Sequence, residues 1–177
     1  TDQIDSIEDN LFLNMNAISG PTKNMYDVCL RKFFSLLSSV PVSAVVNGLN
    51  NTRGSRGFNT NGDQLRNLTP DLFGVVVAEI VDFVTYDQNH FRTECAFDPN
   101  GELTASELSL IEVFWDFDGL VTRDDFIREI PEFSKDGSTV SQTLYGKSPL
   151  FERIGPDLFH IRGWPTSNYA DRVSEHM

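Results

Sequence analysis

The segment from Ser148 to Trp164, SPLFERIGPDLFHIRGW, places the strongest constraint on how this chain can fold. It contains two short apolar runs joined by Gly155-Pro156-Asp157, residue types that favour a tight turn. The segment is therefore predicted to form a β-hairpin. Because a two-stranded hairpin is only marginally stable alone, this one must pack against other parts of the molecule or contact a partner.

The amino-acid composition is that of a folded protein with a sizeable core. The chain has 177 residues, 40% of them hydrophobic, and 14 phenylalanines, which is enough for one ordinary domain or two small ones. It has no run of about 18 apolar residues, so no membrane span is expected. The two cysteines, Cys29 and Cys95, are too few for a disulfide framework or a Cys-based zinc site. They fit a reducing setting, and a cytoplasmic location is expected.

The charge of the chain limits which partners it can bind. Its formal net charge is -12 at pH 7, and no long segment of it is strongly basic. Strong nonspecific binding to nucleic acid draws on many Lys and Arg contacts to phosphate, and an acidic chain repels a polyanion. Any nucleic-acid contact must therefore be local.

The apolar pattern predicts a mainly α chain with one small β-hairpin. Apolar residues recur at helical spacing between Pro21 and Val40. Residues 50–68 have no periodicity and are rich in Asn, Gly and Arg, which predicts a flexible loop. Thr69 and Pro70 then start a strongly apolar helix. The predicted segments are an N-terminal helical segment (1–49), the flexible loop (50–68), a buried helix and a connection that includes a short strand at HFRTECAF (69–102), a C-terminal domain (103–164) and a tail (165–177).

The C-terminal domain has a defined order of elements. Thr104 with Glu107 predicts a capping box, and Thr122 with Asp125 caps a second helix. A third, shorter helix is predicted from about residue 138 to 145, closed by the glycine that follows. The hairpin comes next. The order is therefore helix, turn, helix, loop, helix and hairpin.

This order, in LTASELSLIEVFWDFDGLVTRDDFIREI followed by STVSQTLYGKSPLFERIGPDLFHIRG, resembles a winged helix-turn-helix of the HARE-HTH type. That type is also found in the delta subunit of bacterial RNA polymerase. The likeness covers about residues 103–164 and lies mainly in a third helix that leads into SPLFERIGPDLFHI. The resemblance implies that the hairpin is a wing, which folds Phe159 and Ile161 back onto the three helices.

The resemblance also implies a set of contact residues. In DNA-binding members of such folds, the third helix enters the major groove and the wing contacts the backbone or the minor groove. Glutamine can read adenine, and Thr or Tyr can hold a phosphate. The helix contains no Arg or Lys before its last candidate, and many winged helices contact proteins, so DNA and a protein partner both stay open. The candidates are Thr139, Gln142, Thr143, Tyr145 and Lys147 on the helix and Arg153, His160 and Arg162 on the wing.

The predicted flexible loop adds a second basic group. Its sequence NNTRGSRGF places Arg53 and Arg56 among glycines with Phe58 nearby. Arg, Gly and aromatic residues together are typical of segments that bind single-stranded nucleic acid. The alternative is a solvated loop with scattered charge. If the loop functions, its arginines would add phosphate contacts to those of the wing.

No motif predicts catalysis, a cofactor or a metal site. DPNGELTASEL and DFDGLVTRDDF resemble the latter part of a calcium loop, but their first ligand positions would be Ala96 and Phe114. Turn formation and helix capping explain the same residues. His160, between Phe159 and Ile161, is predicted as an outward-facing strand residue and not as a catalytic base.

These observations predict a noncatalytic winged-helix module that binds nucleic acid or acts in transcription. The competing hypothesis is a protein-interaction or assembly module of a larger intracellular protein, including the case of a homo-oligomer. The acidic balance around the wing favours that alternative.

Overall fold

The structure, a computed structural model, describes residues 18, 20–52, 65 and 68–165. The predicted loop arginines Arg53 and Arg56 lie outside the described residues, as do most of the tail and the start of the N-terminal segment.

The described residues form seven α-helices of four or more residues and six strands. The helices are α1 Gly20–Phe34, α2 Val42–Asn51, α3 Pro70–Ile80, α4 Pro99–Glu102, α5 Ala105–Asp116, α6 Arg123–Glu129 and α7 Thr139–Gln142. The strands are β1 Ser39–Pro41, β2 Thr85–Asp87, β3 His90–Arg92, β4 Leu120–Thr122, β5 Phe151–Arg153 and β6 Leu158–Ile161. Residues Thr143–Lys147 continue α7 as one π-helical turn, named the π turn. None of the described helices is both long and apolar enough to cross a bilayer.

The prediction of a mainly α chain is wrong. About 52% of the described residues are helical and 14% lie in strands, which form two three-stranded antiparallel sheets. The chain is therefore a mixture of helix and sheet. Each strand has only three or four residues, too few for an alternating pattern to stand out in the sequence.

The first sheet has the strand order β1-β3-β2. Phe91 on the central strand pairs with Val40 on one side and Tyr86 on the other. The β2–β3 hairpin turns through Gln88 and Asn89, whose φ angles are 47° and 62°. Two positive φ values in a two-residue loop match the right-handed twist of the flanking strands. Only the β3 strand of this sheet was predicted.

The second sheet has the order β4-β6-β5. The predicted C-terminal hairpin, β5–β6, is thus completed by a third strand that lies between α5 and α6 in the sequence. Asp118 and Gly119, with φ angles of 54° and 81°, separate α5 from β4. All four residues of the central strand β6 are buried. A third strand and burial on both faces explain why this hairpin is stable.

The predicted helix starts in the C-terminal domain are confirmed. Thr104 and Glu107 form a reciprocal capping box at the start of α5, and Thr122 and Asp125 form one at the start of α6. Thr69 caps α3, with Pro70 at the first helical position. Each cap satisfies backbone N–H groups that have no partner inside the helix.

One buried hydrophobic cluster joins the N-terminal and C-terminal segments, from Tyr26 in α1 to Ile161 in β6. The two parts approach closely where α2 meets the residues after the π turn. A Cβ atom added to Gly48 would lie 2.5 Å from the backbone oxygen of Pro149. Glycine is therefore required at this position, and the close approach places α2 next to the segment that leads into the β5–β6 hairpin.

Candidate functional site

The predicted contact residues differ in how far solvent reaches them. Gln142 is half-buried, and its amide donates to the backbone oxygen of Gly137. The exposed residues of the set are Thr139, Tyr145, Lys147 and Arg153. The buried ones are Thr143, His160 and Arg162. The surface available to a partner is thus smaller than the sequence predicted.

The predicted third helix is not a regular α-helix. Ser138 caps α7 by accepting a hydrogen bond from the backbone N–H of Ser141, and the helix ends after only four residues, at Gln142. The π turn then closes at Gly146, which has φ 151°. Only glycine adopts that conformation readily. The turn changes the directions of the side chains that follow α7, so Tyr145 and Lys147 line different clefts.

A polar cleft of about 490 Å³, named the wing-side cleft, lies between α2, the π turn and β5. It brings together three of the predicted residues, which are Tyr145, Arg153 and Arg162. It also includes Asn47 and Asn51 of α2, which the sequence did not predict. The remaining lining residues are Leu144, Gly146, Ser148, Phe151, Glu152 and Phe159.

A charged cluster forms part of this cleft. Arg162 donates through Nη1 to Glu152 Oε2 at 2.9 Å, and His160 Nδ1 lies 3.3 Å from Glu152 Oε1. The pairing of β5 with β6 places Glu152 directly opposite His160. The prediction that His160 faces outward is wrong, because β6 is a central strand and both of its faces are covered.

The environment of this cluster favours its charged carboxylate. The hydrogen bond from His160 lowers the pKa of Glu152 below its usual range, against the effect of burial and with the help of the Arg162 charge. Burial lowers the pKa of Arg162, and the charge of Glu152 works in the opposite direction. Arg162 therefore acts as a buried cation that is neutralised in part by its neighbour.

A second cleft, of about 360 Å³, lies on the other side of the π turn. It is lined by the start of α5 and by the predicted residues Thr139, Thr143 and Lys147, together with Lys32 of α1. In it, Lys32 Nζ donates to both carboxylate oxygens of Glu107 at 2.7 Å.

Glu107 is almost fully enclosed by donors. Ser148 Oγ donates to Glu107 Oε1 at 2.6 Å, and the backbone N–H of Thr104 donates to Oε2 at 2.8 Å. Burial alone would raise the pKa of Glu107, but the hydrogen bonds from Lys32, Ser148 and Thr104 hold it below its usual range. Because both carboxylate oxygens have partners, this cluster joins α1, α5 and the residue that follows the π turn as a structural link.

Stability is expected to fall as the pH drops below the ordinary glutamate pKa of about 4.3. The folded-state pKa values of Glu107 and Glu152 are both lowered, so the unfolded state binds more protons in this range. Their contribution is present above the unfolded pKa and is lost as the pH falls through the folded pKa. Urea unfolding at several pH values between 3 and 7 checks this. A flat profile from pH 5 to pH 3 would contradict it.

Within the described ranges, no group of three or more His, Cys, Asp or Glu side chains is arranged to hold a metal ion.

Two sequence patterns that point to residues of the wing-side cleft were missed. Asn47 and Asn51 are one helical turn apart, and counting outward from the hairpin turn pairs Glu152 with His160.

No protein-family model, curated protein sequence or solved structure matched the chain.

Proposed function

We propose that residues 103–164 form a winged helix that binds nucleic acid without catalysis, in a transcription-associated role. The order α5, β4, α6, α7, β5, β6, with β4 added to the wing hairpin, supports the proposal. The observation that carries it is the meeting of Tyr145, Arg153 and Arg162 at the wing-side cleft. Aromatic and guanidinium groups that line one cleft suit contacts to bases and phosphates.

The binding surface has few free cations, which limits the affinity. Eight candidate residues lie on α7, the π turn and the proposed wing. Of their Lys and Arg side chains, Lys147 and Arg153 are exposed, whereas Arg162 is buried and paired with Glu152. Asp124 on the neighbouring helix α6 is an exposed acid that repels phosphate, and the exposed Arg128 of that helix is paired with Glu129. We therefore propose a local contact with few phosphates instead of an extended interface along a duplex.

A protein partner is the second candidate function, and an exposed aromatic side chain favours it. Trp115 on α5 is 49% exposed, whereas most other aromatic residues of the described segments are buried or half-buried. Exposed tryptophans are frequent anchors in protein interfaces. In this alternative, α5 would meet another protein or a second copy of the chain.

The cellular location that we propose is the cytoplasm. Within the described residues, neither Cys29 nor Cys95 takes part in a disulfide bond. Cysteines that are not oxidised to disulfides are typical of proteins in reducing compartments.

The test of the nucleic-acid proposal is fluorescence anisotropy of labelled single-stranded and duplex DNA, titrated with the whole chain at several salt concentrations between about 50 and 200 mM. We expect saturable binding that weakens with salt. Arg153→Ala should weaken binding further and lower the salt slope by about 0.7 to 0.9, the loss of one phosphate contact.

The matched control is Arg92→Ala, which removes an exposed arginine from the first sheet. It should leave binding unchanged. Equal losses in the two variants would indicate general electrostatic attraction instead of a site at the wing. No binding at the lowest salt concentration would reject the nucleic-acid proposal and favour the protein partner.

A further inference from the structure

One buried donor without a partner and two exposed amides lie at the wing-side cleft. Arg162 is only 6% exposed, and its buried Nε–H has no hydrogen-bond acceptor among the described residues. Leaving such a donor unpaired costs free energy, so its presence at a cleft points to an acceptor supplied by a ligand. The exposed side chains of Asn47 and Asn51 line the same cleft, where their amides are accessible to a ligand.

The charge of the cleft suits one anionic group. Arg153 and Arg162 contribute two positive charges and Glu152 one negative charge, so the lining has a small positive excess. Arg153 is exposed and its Nε donates only to the backbone oxygen of Gly155, which leaves its other guanidinium donors available. A phosphodiester carries a single negative charge and accepts several hydrogen bonds, which matches both arginines.

The size of the cleft and its aromatic wall indicate more than a phosphate. A volume of about 490 Å³ lies within the range of small-ligand sites. Tyr145 is 39% exposed, and its ring is held edge-on against Phe159 with the ring centres 5.4 Å apart. A tyrosine held in this way can serve as a stacking surface for a base. Asn47 and Asn51 lie on one face of α2, and amides can donate to and accept from the edge of a base.

We infer that the wing-side cleft accepts one nucleotide of a single-stranded nucleic acid, with the phosphate at Arg153 and Arg162 and the base against Tyr145, Asn47 and Asn51. This inference depends on the proposed function and makes it more specific. A base inside a duplex is stacked and paired, so it cannot enter the cleft, whereas a base in a single strand can.

The test compares the whole chain with two variants, Tyr145→Leu and the double variant Asn47→Ala with Asn51→Ala. Alanine is a better helix former than asparagine, so the double variant should fold. The probe is a labelled mixed-sequence single strand, with the matching duplex measured in parallel. We expect each variant to bind the single strand about tenfold more weakly, while duplex binding stays unchanged. Asn24→Ala, which removes an exposed amide of α1 outside this cleft, is the control.

The outcomes separate this inference from the proposed function. If the chain binds the strand and both variants bind it equally well, the cleft assignment is wrong and the proposed function stands. If the chain binds no strand, the cleft assignment and the proposed function are both rejected.

A thermal-shift series with a 5′-mononucleotide and, separately, with inorganic phosphate distinguishes a nucleotide site from a phosphate site. A gain in melting temperature with the mononucleotide alone, lost in both variants, supports a nucleotide site, and an equal gain with phosphate overturns the part assigned to the base.

Discussion

Replacing Glu107 by glutamine is expected to lower the free energy of unfolding by about 3 kcal/mol. Glu107 is 1% exposed and accepts hydrogen bonds from Lys32, Ser148 and Thr104. The substitution keeps the size of the side chain but removes its charge. It leaves the ammonium group of Lys32, which is largely buried, facing a neutral amide. Removing one partner of a buried ion pair is costly because the remaining charge stays without compensation.

Urea denaturation followed by circular dichroism measures this loss. The matched control is Lys135→Ala, since Lys135 pairs with Glu132 at 3.8 Å on the surface and both side chains are more than half exposed. The control should leave the midpoint unchanged. Combining Glu107→Gln with Lys32→Met should cost less than the sum of the two single changes, because no charge is then left unpaired. A loss for Glu107→Gln no larger than that of the control would show that the cluster does not link α1 to α5.

Replacing Phe126 by alanine is expected to cost about 4 kcal/mol of unfolding free energy. Phe126 on α6 is fully buried, and its ring packs against Phe114, Phe133 and Phe159 at centre distances between 5.3 and 6.0 Å. Phe159 belongs to β6, the central strand of the second sheet, so the cavity would form between the helices and that sheet. Lost burial and an unfilled cavity both contribute to the cost.

The same denaturation experiment measures the effect of this substitution. Val75→Ala serves as the control, because Val75 is 40% exposed on α3 and should change stability little. We also expect Phe126→Ala to weaken nucleic-acid binding, since the position of the wing depends on this packing. A stability loss below about 1 kcal/mol would contradict the packing described for the second sheet.

The parts of the fold that the sequence predicts well are those set by neighbours along the chain. The capping boxes at Thr104 and Thr122 depend on residues three positions apart, and both helix starts are confirmed. The sheets depend on distant partners. β1 pairs with β3, some fifty residues later, and β4 pairs with β6 across α6 and α7. No local pattern records such pairings, which is why the chain was predicted as mainly α.

The candidate site likewise combines residues that local patterns indicate with residues that only tertiary contacts reveal. The winged-helix resemblance implies Tyr145 on the third helix and Arg153 and Arg162 on the wing as contact residues, and the three meet at one cleft. The amides of α2 were missed because the close approach of Gly48 to Pro149 is a tertiary contact. The burial of Arg162 was missed because it depends on the tertiary packing that covers the second sheet and on the ion pair with Glu152.

The central claim is that nucleic acid binds at the wing-side cleft, and nuclear magnetic resonance tests it most directly. The ¹⁵N-labelled chain is titrated with an unlabelled single-stranded oligonucleotide at low salt, and the change in each assigned amide resonance is recorded. We expect the changes to concentrate at the end of α2, in the π turn and along β5, with the first sheet unaffected. Changes that concentrate in β1, β2 and β3, or no change at saturating oligonucleotide, would contradict the account.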